Sequence, residues 1–130
     1  MEETVLLYNI DKTQAGKAII SILEKLNVKV IIVESCDLMN PIGYILGIED
    51  FQRGSEALTT IPQDDMMVMA GFEEKQIDIL LQIFREANIP FIPLKAIVTQ
   101  INVNWTFMQL LQNVKNEYIE LTGMNKDKIN

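Results

Sequence analysis

Four short apolar runs set the tightest limit on how this chain can fold. They read VLLY (Val5–Tyr8), VIIV (Val30–Val33), MMVM (Met66–Met69) and FIPL (Phe91–Leu94). None alternates apolar with polar residues. A strand with one wet face alternates, whereas a continuous run is buried on both faces. The runs predict strands at Thr4–Tyr8, Val28–Val33, Met66–Ala70 and Phe91–Val98. Pro93 interrupts the last of these. It cannot donate to a ladder, so it suits an edge position or a bulge.

Between the runs the apolar period changes to that of a helix. Ala15, Ala18, Ile19, Ile22, Leu23 and Leu26 share one face of a helix over Asp11–Leu26. Ile77, Leu80, Leu81, Phe84 and Ala87 do the same over Glu73–Ala87. Asp11 with Gln14 has the spacing of a capping box, and Asn27 and Asn88 suit left-handed helix ends. Asn40-Pro41 reads as the start of a short helix with Asn40 as cap, and Gly47 as its stop. Ile48–Gln63 reads as an irregular loop with one helical turn. A final helix runs from about Phe107 to Thr122. Thr106 and Gln109 box its start, Trp105 and Leu110 are spaced as a hydrophobic staple, and Gly123 follows its end.

The chain also echoes itself. Val5–Val33 lies on Met66–Leu94 without a gap, which places Asn27-Val28 on Asn88-Ile89. Two strand–helix–strand units of similar length look alike without common descent, and that is the plainer reading.

These elements predict an α/β fold. The expectation is a four-stranded, mainly parallel sheet built from two β-α-β units, with helices on both faces. The alternative is a ferredoxin-like split β-α-β arrangement with an added C-terminal helix. One α/β domain is expected over residues 1–123, followed by a polar tail at 124–130.

Composition narrows the chemistry. The 130 residues are 48% apolar and 22% charged, which is ordinary for a globular chain. The net charge of −7 repels a phosphate backbone, so nucleic acid is not an expected partner. No apolar run approaches the roughly 20 residues of a membrane span. The acidic start and the lone Cys36 make a cytoplasmic location the default. Histidine is absent, which removes Ser-His-Asp and Cys-His catalysis and the usual zinc sets. The turn after the first strand, YNIDKTQAGK, has one glycine, set inside the helix, and is no phosphate loop.

No catalytic or metal-ligating set is therefore assigned, and no cofactor is specified. In a wholly parallel sheet the strand carboxyl ends would gather Asn9, Asp11, Glu34, Ser35, Cys36, Asp37, Glu73, Glu74, Lys95 and Thr99 along one edge. Each also has a structural role to play. Asp11 reads first as a helix cap, and Glu73 and Glu74 as first-turn acids that favour the helix dipole. The binding candidates are Asp11, Glu34 and Asp37 at that edge, with Lys95, Thr99, Asn102 and Trp105 around the bend before the last helix. Lys95 stands out because a lysine in an apolar strand must reach water, pair or serve a site. The competing reading is that it snorkels at an edge while Trp105 staples the helix.

PLKAIVT, followed by Asn102, Trp105 and a helix with Leu110, Leu111 and Glu117, resembles a bacterial family of domains of unknown function, number thirty-seven eighty-three. MMVMAGF fits the strand and turn that precede that family's helix. The resemblance covers roughly Met66 to Tyr118, and more loosely GYILG at Gly43–Gly47. It implies a bacterial cytoplasmic protein and no particular activity. In the bend this chain has Gln100, Ile101 and Val103 where the family pattern suggests a proline and a further basic residue, which speaks against an anion site there. Two functions are expected from all this. The first is a non-catalytic interaction or regulatory module, with a protein partner or by self-association, using the Lys95–Trp105 bend. The second is a small-molecule or magnesium-binding domain at the strand-end edge.

Overall fold

The computed structural model describes residues 1–123 of the chain, so the polar tail expected at 124–130 lies outside the described residues. Strands β1 (Thr4–Tyr8), β2 (Lys29–Val33), β3 (Met66–Ala70) and β4 (Leu94–Ile97) form one sheet in the order β2-β1-β3-β4. β1 pairs with β2 and β3 with β4 in parallel, while the central pair, β1 and β3, is antiparallel. The fold is thus α/β, with a four-stranded mixed sheet that is mainly parallel. It is made of two β-α-β units set edge to edge. The strands of each unit are direct neighbours, which rules out the split arrangement.

Helices α1 (Gly16–Lys25) and α3 (Glu74–Glu86) cover one face of the sheet. Their Ile19, Leu23, Ile77, Leu80 and Phe84 pack on Val5, Leu7, Met67 and Met69. The short α2 (Ile42–Ile45) and the long α4 (Phe107–Thr122) cover the other. There Ile42, Phe107, Leu110 and Leu111 pack on Leu6, Tyr8, Met66 and Val68. Successive residues of β1 and β3 serve opposite cores, which is the reason their runs are continuous. Every residue of these two strands is buried. Each large apolar side chain so placed contributes about 1.5–3 kcal/mol relative to exposure.

The two units match in detail at their helix ends. Asn27 and Asn88 both adopt the left-handed conformation, at φ 60° and 59°. Behind them Val28 N–H bonds Leu23 C=O, and Ile89 N–H bonds Phe84 C=O, both at 2.9 Å.

Several local expectations are corrected. The first helix starts at Gly16, not Asp11, because residues 10–12 form a separate 3-10 turn. The Thr13 hydroxyl donates to Ile10 C=O at 2.6 Å and closes that turn. Gly16 then lies so close to the Ile10 and Asp11 carbonyls that a Cβ would collide with them. Asp11 consequently caps no helix, and the box with Gln14 does not form. The fourth strand is Leu94–Ile97, shorter than Phe91–Val98, because Pro90–Pro93 form a loop first. Asn40 does not cap α2. Its Oδ1 accepts from Gly54 N–H at 2.9 Å and so ties down the irregular segment that follows α2, which contains no helix. Gly47, at φ 78°, ends α2 as expected.

The start of α4 has the expected capping box. Thr106 Oγ1 accepts from Gln109 N–H at 3.1 Å, and Gln109 Oε1 accepts from Thr106 N–H at 2.9 Å. The α2 region is stitched to this start by Phe107 N–H on Asn40 C=O and Ile42 N–H on Trp105 C=O.

Candidate docking edge and a second cleft

β4 is the last strand of the sheet, and its outer edge has no partner strand among the described residues. Val98 N–H bonds inward to Met69 C=O. In a parallel ladder the direction alternates along the strand, so the backbone groups of Lys95 and Ile97 point outward. Between this edge and α4 runs a groove of about 460 Å³. Four sequence candidates meet in it: Lys95, Thr99, Asn102 and Trp105.

Three of the four have local duties. Asn102 is buried, and its Oδ1 accepts from Thr99 N–H at 2.8 Å while its Nδ2 donates to Ile97 C=O at 3.0 Å. Thr99 Oγ1 accepts from the N–H groups of Ile101 and Asn102. These bonds shape the bend. Lys95 reaches away from it. Its Nζ donates to Ile92 C=O and lies 4.2 Å from the centre of the Phe91 ring. Burial pushes the Lys95 pKa below its usual value even so, because desolvation of the ammonium outweighs these contacts. Trp105 packs against the core under α4 while lining the groove.

The bend exposes Thr99, Gln100 and Asn104 together with one apolar residue, Ile101, and the end of β4 exposes Ile97. Ile97 is 44% exposed and Ile101 71% exposed, and both line the groove. Neither is among the binding candidates expected from the sequence, although an isoleucine at the tip of a polar bend, as Ile101 is, has no core to enter. Glu117 completes the wall, and it forms no salt bridge among the described residues.

Asp11, Glu34 and Asp37 lie far from this groove. The antiparallel central pair sends the carboxyl ends of β1 and β2 to one end of the sheet and those of β3 and β4 to the other. Asn9, Asp11, Glu34, Ser35, Cys36 and Asp37 therefore belong to one end, and Glu73, Glu74 and Thr99 to the other. The single collecting edge does not form. Glu34 and Asp37 box the short turn between them, with Glu34 N–H donating to Asp37 Oδ2 at 3.0 Å. Asp11 Oδ1 is buried without a hydrogen-bond partner among the described residues. Among those residues no three His, Cys, Asp or Glu side chains come together as a metal site.

At the β1–β2 end a second cleft, of about 360 Å³, opens beside Tyr8, Asn9, Lys12, Ser35, Gln63 and Asp65. It lies where the chain leaves β1 for one face and β2 for the other, the usual place for a ligand in an open α/β sheet. Tyr8 donates to Pro62 C=O at 2.7 Å, and Asn9 Nδ2 to Asp64 C=O at 3.0 Å, which holds residues 61–65 across the strand ends.

Residues 65–121 match the family model described as Domain of unknown function (DUF3783). That span holds β3, α3, β4, the bend and nearly all of α4, so the stretch that resembles the family in sequence does match it. No curated protein and no solved structure matches the chain. No helix among the described residues is long and apolar enough to cross a membrane.

Proposed function

We propose that the chain is a bacterial cytoplasmic interaction module that binds an extended protein segment along the free edge of β4. The bacterial, cytoplasmic setting follows the family resemblance and the single cysteine. The docking reading rests on one observation above all. The outward backbone groups of Lys95 and Ile97 lie beside a groove rimmed by exposed Ile97 and Ile101 and floored by Trp105. An added strand takes its affinity from such backbone groups and its specificity from side-chain pockets beside them.

The usable edge is short. Pro93 has no N–H to offer at one end, and the Asn102 side chain already occupies Ile97 C=O at the other. These are the devices that keep sheet edges from pairing indiscriminately. They also fit a small, transient interface better than a permanent one. Charge selects the occupant. A net charge of −7 opposes a second copy, and Glu117 lines the groove with no salt bridge among the described residues, so the fitting segment is basic and carries an apolar side chain for the Ile97–Trp105 surface.

Selection of displayed random peptides on the immobilised protein tests this. The expected result is a set of related basic and apolar sequences whose binding falls at least about tenfold on Ile101→Asp, close to 1.4 kcal/mol. Selected peptides that bind Ile101→Asp as well as the parent chain would count against it.

A further inference from the structure

The two β-α-β units part company just after their matched helix ends. β2 begins two residues after Asn27, whereas β4 begins six after Asn88. The register also shows added chain, since Val5 pairs with Val30, 25 positions on, but its counterpart Met66 pairs with Leu94, 28 positions on. The extra chain is the loop Ile89–Pro93. It rises at the end of the sheet where β1 finishes and walls an apolar cleft of about 250 Å³ with Ile10, Ala15 and Ile19. Lys95 fixes the loop by bonding Ile92 C=O under the Phe91 ring.

This apolar cleft is not isolated. Thr13 and Asp65 line both it and the polar cleft over Tyr8 and Asn9. The two clefts adjoin across Thr13 and Asp65, one mainly polar and the other mainly apolar.

The charges at the polar end have unequal commitments. Asp64 is paired with Lys115 at 3.3 Å. Lys12 stands 3.9 Å from Glu34, with both side chains more than half exposed, so this pair is weak and free to yield. Asp65 forms no salt bridge among the described residues. Ser35 offers a hydroxyl on the far wall.

We infer that this joint cleft binds an apolar α-amino acid in its zwitterionic form. The ammonium group sits on Asp65, the carboxylate on Lys12 beside Ser35, and the side chain against the Pro90–Pro93 loop. Two opposite charges flanking one cleft match a zwitterion, and neither a simple cation nor a simple anion uses both. The apolar compartment has room for a leucine- or phenylalanine-sized side chain. This site lies off the β4 groove, and its test is independent of the docking function.

Amide NMR titration of the full chain with L-leucine and L-phenylalanine at millimolar concentration is the test. Saturable shifts are expected at Asn9–Thr13, Asp65 and Ile89–Ile92. Glycine, N-acetyl-L-leucine and L-leucinol each lack one element, and each should bind at least about tenfold more weakly. Asp65→Asn should weaken leucine binding to a similar degree. Should that variant unfold, Lys12→Met, at an exposed position, carries the same expectation. Absence of saturable shifts, equal binding of the three analogues, or leucine binding unchanged in these variants would overturn the assignment.

Discussion

Asn102 Nδ2 donates to the carbonyl of Ile97 at 3.0 Å, so a side chain from the bend occupies a backbone acceptor on the free edge of β4. The same amide accepts from Thr99 N–H, and the residue is buried. Asn102→Ala leaves both backbone groups short of a partner. It should destabilise the chain by about 1–3 kcal/mol in chemical denaturation. The loss should be local in origin, with amides 97–104 exchanging faster than the rest of the sheet.

Gly54 N–H donates to Asn40 Oδ1, and the glycine rests directly against the Met39 carbonyl. A methyl group there collides with backbone, which cannot step aside as a side chain can. Gly54→Ala should cost about 1–3 kcal/mol. It should also release residues 48–63 to rapid hydrogen exchange while leaving α1 and α3 protected.

Burial, helped by Asp64, raises the pKa of Asp65 above the usual 3.8. Tyr8, Lys12 and Ser35 line the same cleft, and none forms a salt bridge with it. A raised carboxyl pKa means the folded chain holds its proton more tightly than the unfolded chain. Stability attributable to this group is present below pH 3.8 and is lost as pH rises through the folded pKa. Asp65→Asn should therefore melt at a higher temperature than the parent chain at pH 7, and the gain should vanish in acid. Melting curves across the range decide it. A residue that lowers stability at neutral pH is what a binding role would retain.

Lys95 shows the opposite sign. Burial lowers its pKa from 10.5, so the folded chain releases this proton more readily than the unfolded one. Stability should then rise as pH climbs from the folded pKa towards 10.5. Lys95→Met should remove that rise, measured as the difference in melting temperature between the two chains from neutral to alkaline pH. The same variant should loosen Ile92 and Phe91, which Lys95 holds in place.

Much of this architecture was legible because its determinants are local. The continuous runs gave β1 and β3 to the residue, and the Thr106–Gln109 box and Gly123 gave the bounds of α4. The sequence position of Asp11 misled because a nearby hydroxyl, that of Thr13, competed for the Ile10 carbonyl and broke the expected helix. The strand-end cluster failed for a non-local reason. Whether β1 meets β3 parallel or antiparallel depends on how two complete units dock, and neither unit encodes that alone. Of the β1–β2 cleft only Asn9 and Ser35 were legible, as neighbours at the strand ends, since the other wall is brought in by contacts such as Tyr8 to Pro62 and Asn9 to Asp64. The local hints were Asn9 directly after a strand and the Asp64-Asp65 pair directly before one. Lys95 stood out in the sequence as a lysine within an apolar strand. Its partners became visible only once the Pro90–Pro93 loop was in place.

The most direct test of the docking function is amide hydrogen exchange along β4, read residue by residue with and without a basic, apolar peptide chosen by display. In the free chain the N–H groups of Lys95 and Ile97 should exchange quickly, and that of Val98, bonded to Met69, slowly. With the peptide bound, Lys95 and Ile97 should slow at least about tenfold, as groups newly paired in a ladder do. Tight peptide binding that leaves both amides exchanging at their free rates would contradict the account.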